Sequence, residues 1–359
     1  MRVKLEDVCE RGTSSLMQKD IVDKNGKYPV YGASGRIGSM ETYQQEHQTV
    51  AVVKDGAGIG RTMLLPEKSS VIGTMQYLIP KNCIESEYLY YVVKYMHLEK
   101  YFSGATIPHI YFRDYKTEEF NLHDKTEQRE IVSTLKRIEA IISNRQEQLT
   151  KLDELVKARF VEMFGTYPDN PFGWNTGKIQ DVVSNVRYGS SRPAVEGGKY
   201  PYLRMNNITY AGELDLTDTK RIDVPDSELD KCTVQRGDVL FNRTNSKELV
   251  GKTCVYNRDD MMVLAGFVIR VRVNERILPE FLAAFLNTDF SKQMLLGMCK
   301  TAIGQANINA KEMQNIGLYI PPIALQEQFV DLKKQTDKSK LLAELFAQNT
   351  CILAENRSK

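Results

Sequence analysis

Two parts of this 359-residue chain are alike, and this internal repeat restricts the possible folds more than any other feature. The letters GKYP occur in GKYPVYG at Gly26–Gly32 and again in GKYPYLR at Gly198–Arg204. KLEDV at Lys4–Val8, before the first copy, resembles KIQDV at Lys178–Val182, before the second. Because chance similarities have no reason to keep the same order, the sequence predicts a large module that is used twice. Such a period is far longer than that of a solenoid repeat.

Further matches follow the two GKYP copies in the same order. TVAVVKDG corresponds to DVLFNRT, Gly60-Arg61-Thr62 to Gly251-Lys252-Thr253, ATIPHIYFRD to IGQANINAKE, and Gln128 to Gln326. The matching runs are rich in β-branched and aromatic residues and are separated by glycine turns, which is typical of strands. We therefore predict an α+β fold with two β-rich modules, the first module at residues 1–125 and the second module at residues 166–323.

A long helix is predicted at residues 126–165, where no glycine or proline occurs before Gly165. Its apolar residues follow alternating steps of three and four, as in a coiled coil. These seam residues are Leu135, Ile138, Ile142, Leu149, Leu152 and Val156. Residues 324–359 form a second, less regular helical segment. We expect the two helices to pair as an antiparallel coiled coil about a pseudo-twofold axis; a homodimeric coiled coil is the alternative.

The composition is that of a globular protein, with 42% hydrophobic and 26% charged residues. The longest apolar run, Met261–Ile269, has about half the length that a membrane span requires. The N-terminal MRVKLEDV carries charges where an export signal has an apolar stretch, so we expect a cytoplasmic protein. The six cysteines and four histidines are scattered without metal-ligand spacing, so we expect no metal site.

The glycine-rich segment Gly56–Thr62 resembles a phosphate-binding loop but departs from that motif. Asp55 and Arg61 stand where the motif requires glycine and lysine, and the counterpart in the second half also lacks the first glycine. We therefore expect a glycine turn between two strands. Neither module offers a Ser/His/Asp set that occurs in both, so the sequence predicts no catalytic centre.

Charge is distributed unevenly along the chain, although the formal net charge is only +2. The segment Arg236–Arg258 holds five basic residues against two acidic ones, whereas Glu213–Asp230 holds seven acidic residues against two basic ones. Such segregation permits one basic face on a nearly neutral molecule. Ordinary solvated loops explain the same charges equally well.

Two β-rich modules, each followed by a helix, resemble the specificity subunit of type I restriction–modification systems. The resemblance rests on GKYPVYG and GKYPYLR, TIPHIYFRD and GQANINAKE, EQREIV and LQEQFV, and NPFGW, and it covers essentially the whole chain. It implies that each module is a target-recognition domain reading one half of a bipartite double-stranded DNA target. Because the modules differ in sequence, that target is expected to be asymmetric.

The resemblance also implies that the chemistry belongs to partners and that this chain is not catalytic. Two modification subunits would dock on the helices, bind S-adenosylmethionine and methylate the DNA, and restriction (motor–nuclease) subunits would use ATP and Mg. Three alternatives remain: a related system whose partner fuses methyltransferase and nuclease, a standalone DNA-modifying enzyme, and a coiled-coil adaptor without a DNA role.

Polar and basic side chains on loops beside the predicted strands are the candidates for reading base edges. In the first module they are Ser34, Arg36, Lys54, Arg61, Thr106 and His109. In the second module they are Arg204, Asn206, Asn207, Asn242, Arg243, Asn245, Gln305 and Asn307. NRTNSK at Asn242–Lys247 is the most polar stretch directly after an apolar strand, which is typical of a loop that faces a DNA groove.

Overall fold

The computed structural model of the chain describes residues 1–21, 26–104, 108–302 and 305–358, and their side chains except at 300–305 and 343–358. The chain forms two compact units, the first consisting of Met1–Gln146 and Glu344–Lys359 and the second of Glu147–Ala343. Within the described residues, none of the helices is both long and apolar enough to span a membrane.

The first unit contains the first module, built from short strands around several apolar clusters. Its strands are β1 (Arg2–Lys4), β2 (Cys9–Thr13), β3 (Tyr28–Gly32), β4 (Gly35–Met40), β5 (Thr49–Val53), β6 (Thr62–Leu65), β7 (Ser70–Val71), β8 (Met75–Pro80) and β9 (Glu119–Asn121). Its helices are α1 (Leu5–Val8), α2 (Ser86–Lys94), α3 (Phe112–Tyr115) and the part of α4 (Lys125–Phe164) that ends at Gln146. The sheets have the strand orders β2-β8-β5-β6, β4-β3-β7 and β1-β9.

The second unit contains the second module, which is larger. Its strands are β10 (Asn175–Lys178), β11 (Val183–Tyr188), β12 (Tyr200–Leu203), β13 (Lys220–Ile222), β14 (Thr233–Val234), β15 (Val239–Asn242), β16 (Thr244–Asn245), β17 (Thr253–Val255), β18 (Met262–Leu264), β19 (Val268–Val273), β20 (Lys300–Ala302), β21 (Gln305–Asn307) and β22 (Gly317–Ile320). Its helices are the rest of α4, α5 (Asp226–Cys232), α6 (Pro279–Asn287), α7 (Asp289–Met298), α8 (Ala310–Gln314) and the start of α9 (Ile323–Ser358). The sheets have the orders β11-β19-β15-β17, β13-β12-β18-β14, β16-β21-β20 and β10-β22.

Each module has its own four-stranded sheet with a central buried strand, which is β5 in the first module and β15 in the second. Both strands are completely buried between two antiparallel neighbours, which suits the β-branched residues of TVAVV and the three apolar residues of VLFN. The strands that begin in the two GKYP copies also correspond, because β3 pairs in parallel with β7 and β12 pairs in parallel with β18. The predicted repeat is therefore confirmed as a repeat of structure.

One buried glutamine after each module ties the following helix to the module by equivalent hydrogen bonds. Gln128 Oε1 accepts the N–H of Glu85 at 2.8 Å, and Gln326 Oε1 accepts the N–H of Leu278 at 2.8 Å. Each Nε2 also donates to two backbone carbonyls of its own unit. Both glutamine side chains are fully buried. Each of them therefore pairs with one backbone N–H and two backbone carbonyl groups in place of water.

The ends of the predicted seam on α4 are packed into the cores of the two units. Leu135 is buried in the core of the first unit, and Ile138 packs against the same core. Val156 packs against the core of the second unit, where Phe160 and Phe164 are fully buried. The remaining seam residues, Ile142, Leu149 and Leu152, are partly buried. Part of the seam therefore stabilises the modules themselves, which heptad spacing alone does not predict.

A lysine of α9 connects this helix to α4 and to a loop of the second module. Lys340 donates to the carboxylate of Asp153 on α4 and, at 3.2 Å, to Glu213 Oε1. Its side chain is only 12% exposed. The two carboxylates raise the pKa of Lys340 although its burial acts in the opposite direction. The first part of α9 is thus fixed against the second half of α4.

Candidate nucleic-acid interface

Each module has a polar loop where its central strand ends, and the two loops occupy equivalent positions. Lys54 directly follows β5, and Arg243 directly follows β15. The carbonyl of Lys54 accepts the N–H of Ile110 at 2.9 Å, and the carbonyl of Arg243 accepts the N–H of Ile308 at 2.9 Å. The predicted match of Ile110 with Ile308 is therefore confirmed, and Lys54 and Arg243 are structural counterparts.

The glycine-rich segment forms a tight turn after the central strand, as predicted. The N–H of Gly60 donates to Val53 O at 2.9 Å, and the N–H of Gly251 donates to Asn242 O at 2.8 Å. Both glycines have left-handed backbones, with φ of 81° and 79°, which other residues adopt only with strain. The equivalent turns position the strands β6 and β17 beside the central strands.

A first strand-end cluster consists of Lys54, Asp55 and His109. His109 Nδ1 lies 2.7 Å from Asp55 Oδ1, and Lys54 Nζ forms an ion pair with the same carboxylate. The half-buried position of Asp55 favours its neutral form, but the hydrogen bonds from Lys54 and His109 hold its pKa below the usual range. The ring of Tyr111 stacks near His109. Two of the predicted DNA-contacting residues, Lys54 and His109, are therefore brought together by a carboxylate.

The other candidates of the first module lie around the β3–β4 hairpin. Arg61 Nη1 donates to Ala33 O at 2.7 Å, which places its side chain beside the hairpin turn. Ser34 and Arg36 are exposed on that hairpin. Thr106 lies outside the described residues.

A second strand-end cluster consists of Arg243, Asn307 and Tyr188. Arg243 Nη2 donates to Asn307 Oδ1 at 3.2 Å, and the guanidinium carbon lies 4.8 Å from the centre of the Tyr188 ring. Asn307 is on β21, whose pairing with β16 places it opposite Thr244. Gln305 starts the same strand, but its side chain is outside the described set.

Burial removes two asparagines from the candidate contacts in the second module. Asn207 is 2% exposed, and its side chain accepts the N–H of Arg204 and donates to Asp215 O. Asn242 is completely buried at the end of β15. Both side chains lie inside the module, so we correct these two predictions and exclude the residues from the DNA-binding surface.

The remaining candidates of the second module are at least partly exposed. Arg204 forms an ion pair with Asp218 at 2.8 Å, and Asn245 Oδ1 accepts the N–H of Ser246 at 2.8 Å. Asn206 is exposed. These three side chains lie at the surface of the module, where DNA contact remains a prediction.

Tyr188 is the residue of the second cluster that sequence reasoning missed as a contributor to the site. It ends β11, which pairs with β19, and its hydroxyl accepts the N–H of Ala310 at 2.8 Å. Its ring is nevertheless 43% exposed. No local pattern identifies Tyr188, because its approach to Arg243 depends on strand pairing between segments far apart in sequence.

Two lysines lie behind the second glycine turn, of which Lys252 is buried and Lys292 is partly buried. Lys252 Nζ donates to Met205 O at 3.1 Å, and Lys292 Nζ donates to Gly251 O at 3.0 Å. Burial lowers the pKa of both ammonium groups, and that of Lys292 falls to about 8. No cluster of His, Cys, Asp and Glu with the makings of a metal site exists among the described residues.

The sequence matches a known protein family over most of its length. The family is described as the type I restriction modification DNA specificity domain, and the matched residues are 1–153 and 171–347.

Curated relatives match over shorter stretches. The type I restriction enzyme EcoKI specificity subunit of Escherichia coli K12 is 28% identical over 156 residues, which cover 42% of this chain and 33% of that protein. The type I restriction enzyme MjaIX specificity subunit of Methanocaldococcus jannaschii is 26% identical over 154 residues, covering 36% and 35%. The matched stretches thus span about a third of these relatives.

Two solved structures resemble the whole chain. The S subunit of a type I restriction–modification system from M. genitalium has a TM-score of 0.58 at 15% identity, with 100% of this chain and 95% of that chain covered. A chain from a study of complex assembly and conformational transition of the type I R-M system has a TM-score of 0.60 at 16% identity, with 100% and 96% covered. At these identities the likeness concerns the fold.

Proposed function

Since the chain belongs to the family of type I restriction–modification DNA specificity domains, we propose that it is the sequence-recognition subunit of such a system and binds double-stranded DNA. The observation that carries the proposal is the pair of strand-end clusters. They stand at equivalent backbone positions, after β5 and β15, yet they present different donors and acceptors. A shared scaffold with different polar groups is what two readers of different base sequences require.

We propose that each module reads one half of a bipartite, asymmetric target. The first module would use Ser34, Arg36, Lys54, Arg61, Thr106 and His109, and the second would use Arg204, Asn206, Arg243, Asn245, Gln305 and Asn307. Asymmetry follows because Lys54 with His109 cannot present the same hydrogen-bond pattern as Arg243 with Asn307.

The helices α4 and α9 would set the distance between the two half-sites and dock two modification subunits. We propose that they pair antiparallel about a pseudo-twofold axis. The partly buried seam of α4 and the contact of Lys340 with Asp153 support this pairing. Exposed apolar side chains on the same helices, such as Leu155 and Leu342, fit a surface that a partner covers.

Catalysis would reside in the partners of a cytoplasmic complex. In this proposal the modification subunits bind S-adenosylmethionine, the restriction subunits use ATP and Mg, and this chain supplies target choice. The family match supports the assignment, because the matched family is described by DNA specificity.

Methylation mapping tests the proposal directly. The chain is expressed with its modification subunit in cells that lack other DNA methylation, and methylated positions are read by single-molecule sequencing. We expect one motif made of two different short half-sites and a nonspecific gap, and no motif when the chain is omitted. Methylation without sequence preference, or a continuous palindromic motif, would contradict the proposal.

A further inference from the structure

The second strand-end cluster holds one arginine in a single orientation, and this rigidity bears on which base it meets. The backbone of Arg243 is fixed on both sides: its N–H donates to Phe267 O at 3.0 Å, and its carbonyl accepts the N–H of Ile308 at 2.9 Å. The side chain therefore starts from a stiff sheet edge rather than from a mobile loop.

The guanidinium plane is also held, by two different contacts. The Tyr188 ring covers one face at 4.8 Å, and Tyr188 itself is anchored by the N–H of Ala310. Asn307 Oδ1 accepts from Nη2 at 3.2 Å. An arginine that is stacked and hydrogen-bonded in this way loses little conformational entropy when it binds, because its planar fork is already oriented.

These contacts determine which edge of the guanidinium can meet a ligand. The Nε atom is buried and has no partner among the described residues, so the side formed by Nε and Nη2 faces the protein. Nη1 donates no hydrogen bond to a described residue, and Nη2 has a second hydrogen in addition to the one donated to Asn307. The end formed by Nη1 and Nη2 is thus the edge that can donate two parallel hydrogen bonds.

Two parallel acceptors at that spacing are the N7 and O6 atoms of guanine in the major groove. A phosphate also accepts two such bonds, but the surroundings favour a base. Tyr188, whose ring lies against the guanidinium, is 43% exposed. An exposed aromatic ring beside a planar cation suits the edges and methyl groups of bases better than a charged backbone.

The first module lacks this arrangement at the equivalent position. Lys54 replaces Arg243, and its ammonium is paired with Asp55. The strand that corresponds to β11 is β2, which ends in Thr13 instead of a tyrosine. The arrangement of Arg243 is therefore not a requirement of the shared scaffold, which is the pattern expected of a specificity determinant.

We propose that Arg243 reads a guanine in the half-site of the second module, and that Tyr188 and Asn307 are positioning residues for it. This inference rests on the proposed function and adds the base class that one residue recognises.

The test is methylation mapping with the full chain and its modification subunit, in the wild type and in variants. The wild-type motif should contain a guanine in one half-site whose requirement is lost in Arg243→Ala, with discrimination at that base falling about 5- to 150-fold. All other positions, including the whole other half-site, should be unchanged. Arg236→Ala is the matched control, since Arg236 forms an exposed ion pair before β15 begins, whereas Arg243 follows its end.

Variants of Tyr188 separate positioning from general support of the fold. Tyr188→Leu should relax the same guanine position, whereas Tyr188→Phe, which retains the stacked ring, should keep the wild-type motif. If Tyr188→Phe and Tyr188→Leu relax that position equally, the ring stack does not position Arg243. Thermal melting of both variants checks that the second module is folded.

The outcomes distinguish failure of the inference from failure of the proposed function. A wild-type bipartite motif that Arg243→Ala leaves unchanged would overturn the inference alone. So would binding that weakens equally on all sequences with a smaller salt dependence, because that result marks a phosphate contact. A wild-type chain that directs no motif at all would overturn both.

Discussion

Among single residues, the partly buried Lys292 carries a charge that the fold opposes. Its ammonium has a hydrogen bond to Gly251 O and lies 5.3 Å from the Tyr210 ring, but it forms no ion pair with a described carboxylate. Burial and the neighbouring Lys252 and Lys157 lower its pKa from 10.5 to about 8. The folded state therefore binds this proton less tightly than the unfolded chain does.

A pH-dependent stability difference follows for Lys292→Met. Because the folded pKa is the lower one, the cost of the buried charge is fully present below pH 8 and disappears as the pH rises to about 10.5, where the unfolded lysine also loses its proton. That cost is at most about 3 kcal/mol at pH 7. We expect the free energy of unfolding of the variant, relative to wild type, to fall by this amount between pH 8 and 10.5. Denaturant titrations at each pH measure this difference in the free energy of unfolding. A difference that does not change with pH would show that the ammonium of Lys292 does not destabilise the folded state.

The strand-end clusters show what sequence reasoning can and cannot predict at this scale. Polar loops after apolar strands identified Lys54, His109, Arg243 and Asn307, because those positions follow from local pattern and from the repeat. Asp55 directly follows Lys54, but its contact with His109 and the contact of the Tyr188 ring with Arg243 join segments far apart in the chain, so no local signal reveals them. The same limit explains why the buried Asn207 and Asn242 were predicted as DNA contacts. The local sequence does not show whether a polar side chain near a strand end is buried or exposed.

At the scale of elements, equivalent glutamines fasten each long helix to its module. Gln128 and Gln326 each bind one N–H and two carbonyl groups of the backbone. A leucine at either position has a similar size but leaves one N–H and two carbonyl groups without this partner, and each of them that stays shielded from water costs about 1 to 3 kcal/mol.

We expect Gln128→Leu to destabilise the first unit and Gln326→Leu the second, each by at least about 2 kcal/mol. Hydrogen exchange resolves the two units and assigns each loss to its own module. The exposed Gln335 on α9 is the control, and Gln335→Leu should change neither unit by more than about 0.5 kcal/mol. An equal effect of all three substitutions would contradict the proposed fastening.

The lysine that fixes α9 supplies a second prediction about elements. In Lys340→Met the carboxylates of Asp153 and Glu213 lose their shared cation. Because both carboxylates are about half exposed, we expect the second unit to lose only about 1 kcal/mol. The turns of α9 around Lys340 should exchange amide hydrogens faster. Lys338 is exposed on the same helix, and Lys338→Met should leave the exchange of α9 unchanged. If the two variants exchange alike, the bridge does not hold α9.

The long helices were predictable and the short strands were not. The observed α4, Lys125–Phe164, begins and ends within one residue of the predicted limits, because a long run without glycine or proline has few other structures open to it. Strands such as β16 and β20, of two and three residues, exist only through their pairing with β21. Such pairings are tertiary contacts and leave no periodic pattern in the sequence.

For the whole molecule, the proposed function gives the helix that follows the first module the role of a spacer. The 40 residues of α4 correspond to a length of about 60 Å. If paired helices separate two modules that read separate half-sites, then the gap in the DNA target is a property of helix length and not of the recognition loops. Base choice and spacing would therefore change independently.

Inserting one heptad between Gln146 and Thr150 tests this separation. Seven residues lengthen α4 by about 10 Å and turn it by nearly two full turns, so the seam stays on one face. Since base pairs are spaced about 3.4 Å apart along DNA, we expect the nonspecific gap to grow by about three base pairs while both half-sites keep their sequences. Methylation mapping of the variant reads gap and half-sites together, and replacing the native residues 146–150 with other helix formers of equal length serves as the control. An unchanged gap would show that α4 does not set the spacing, and altered half-sites would show that spacing and base choice are coupled through the modules.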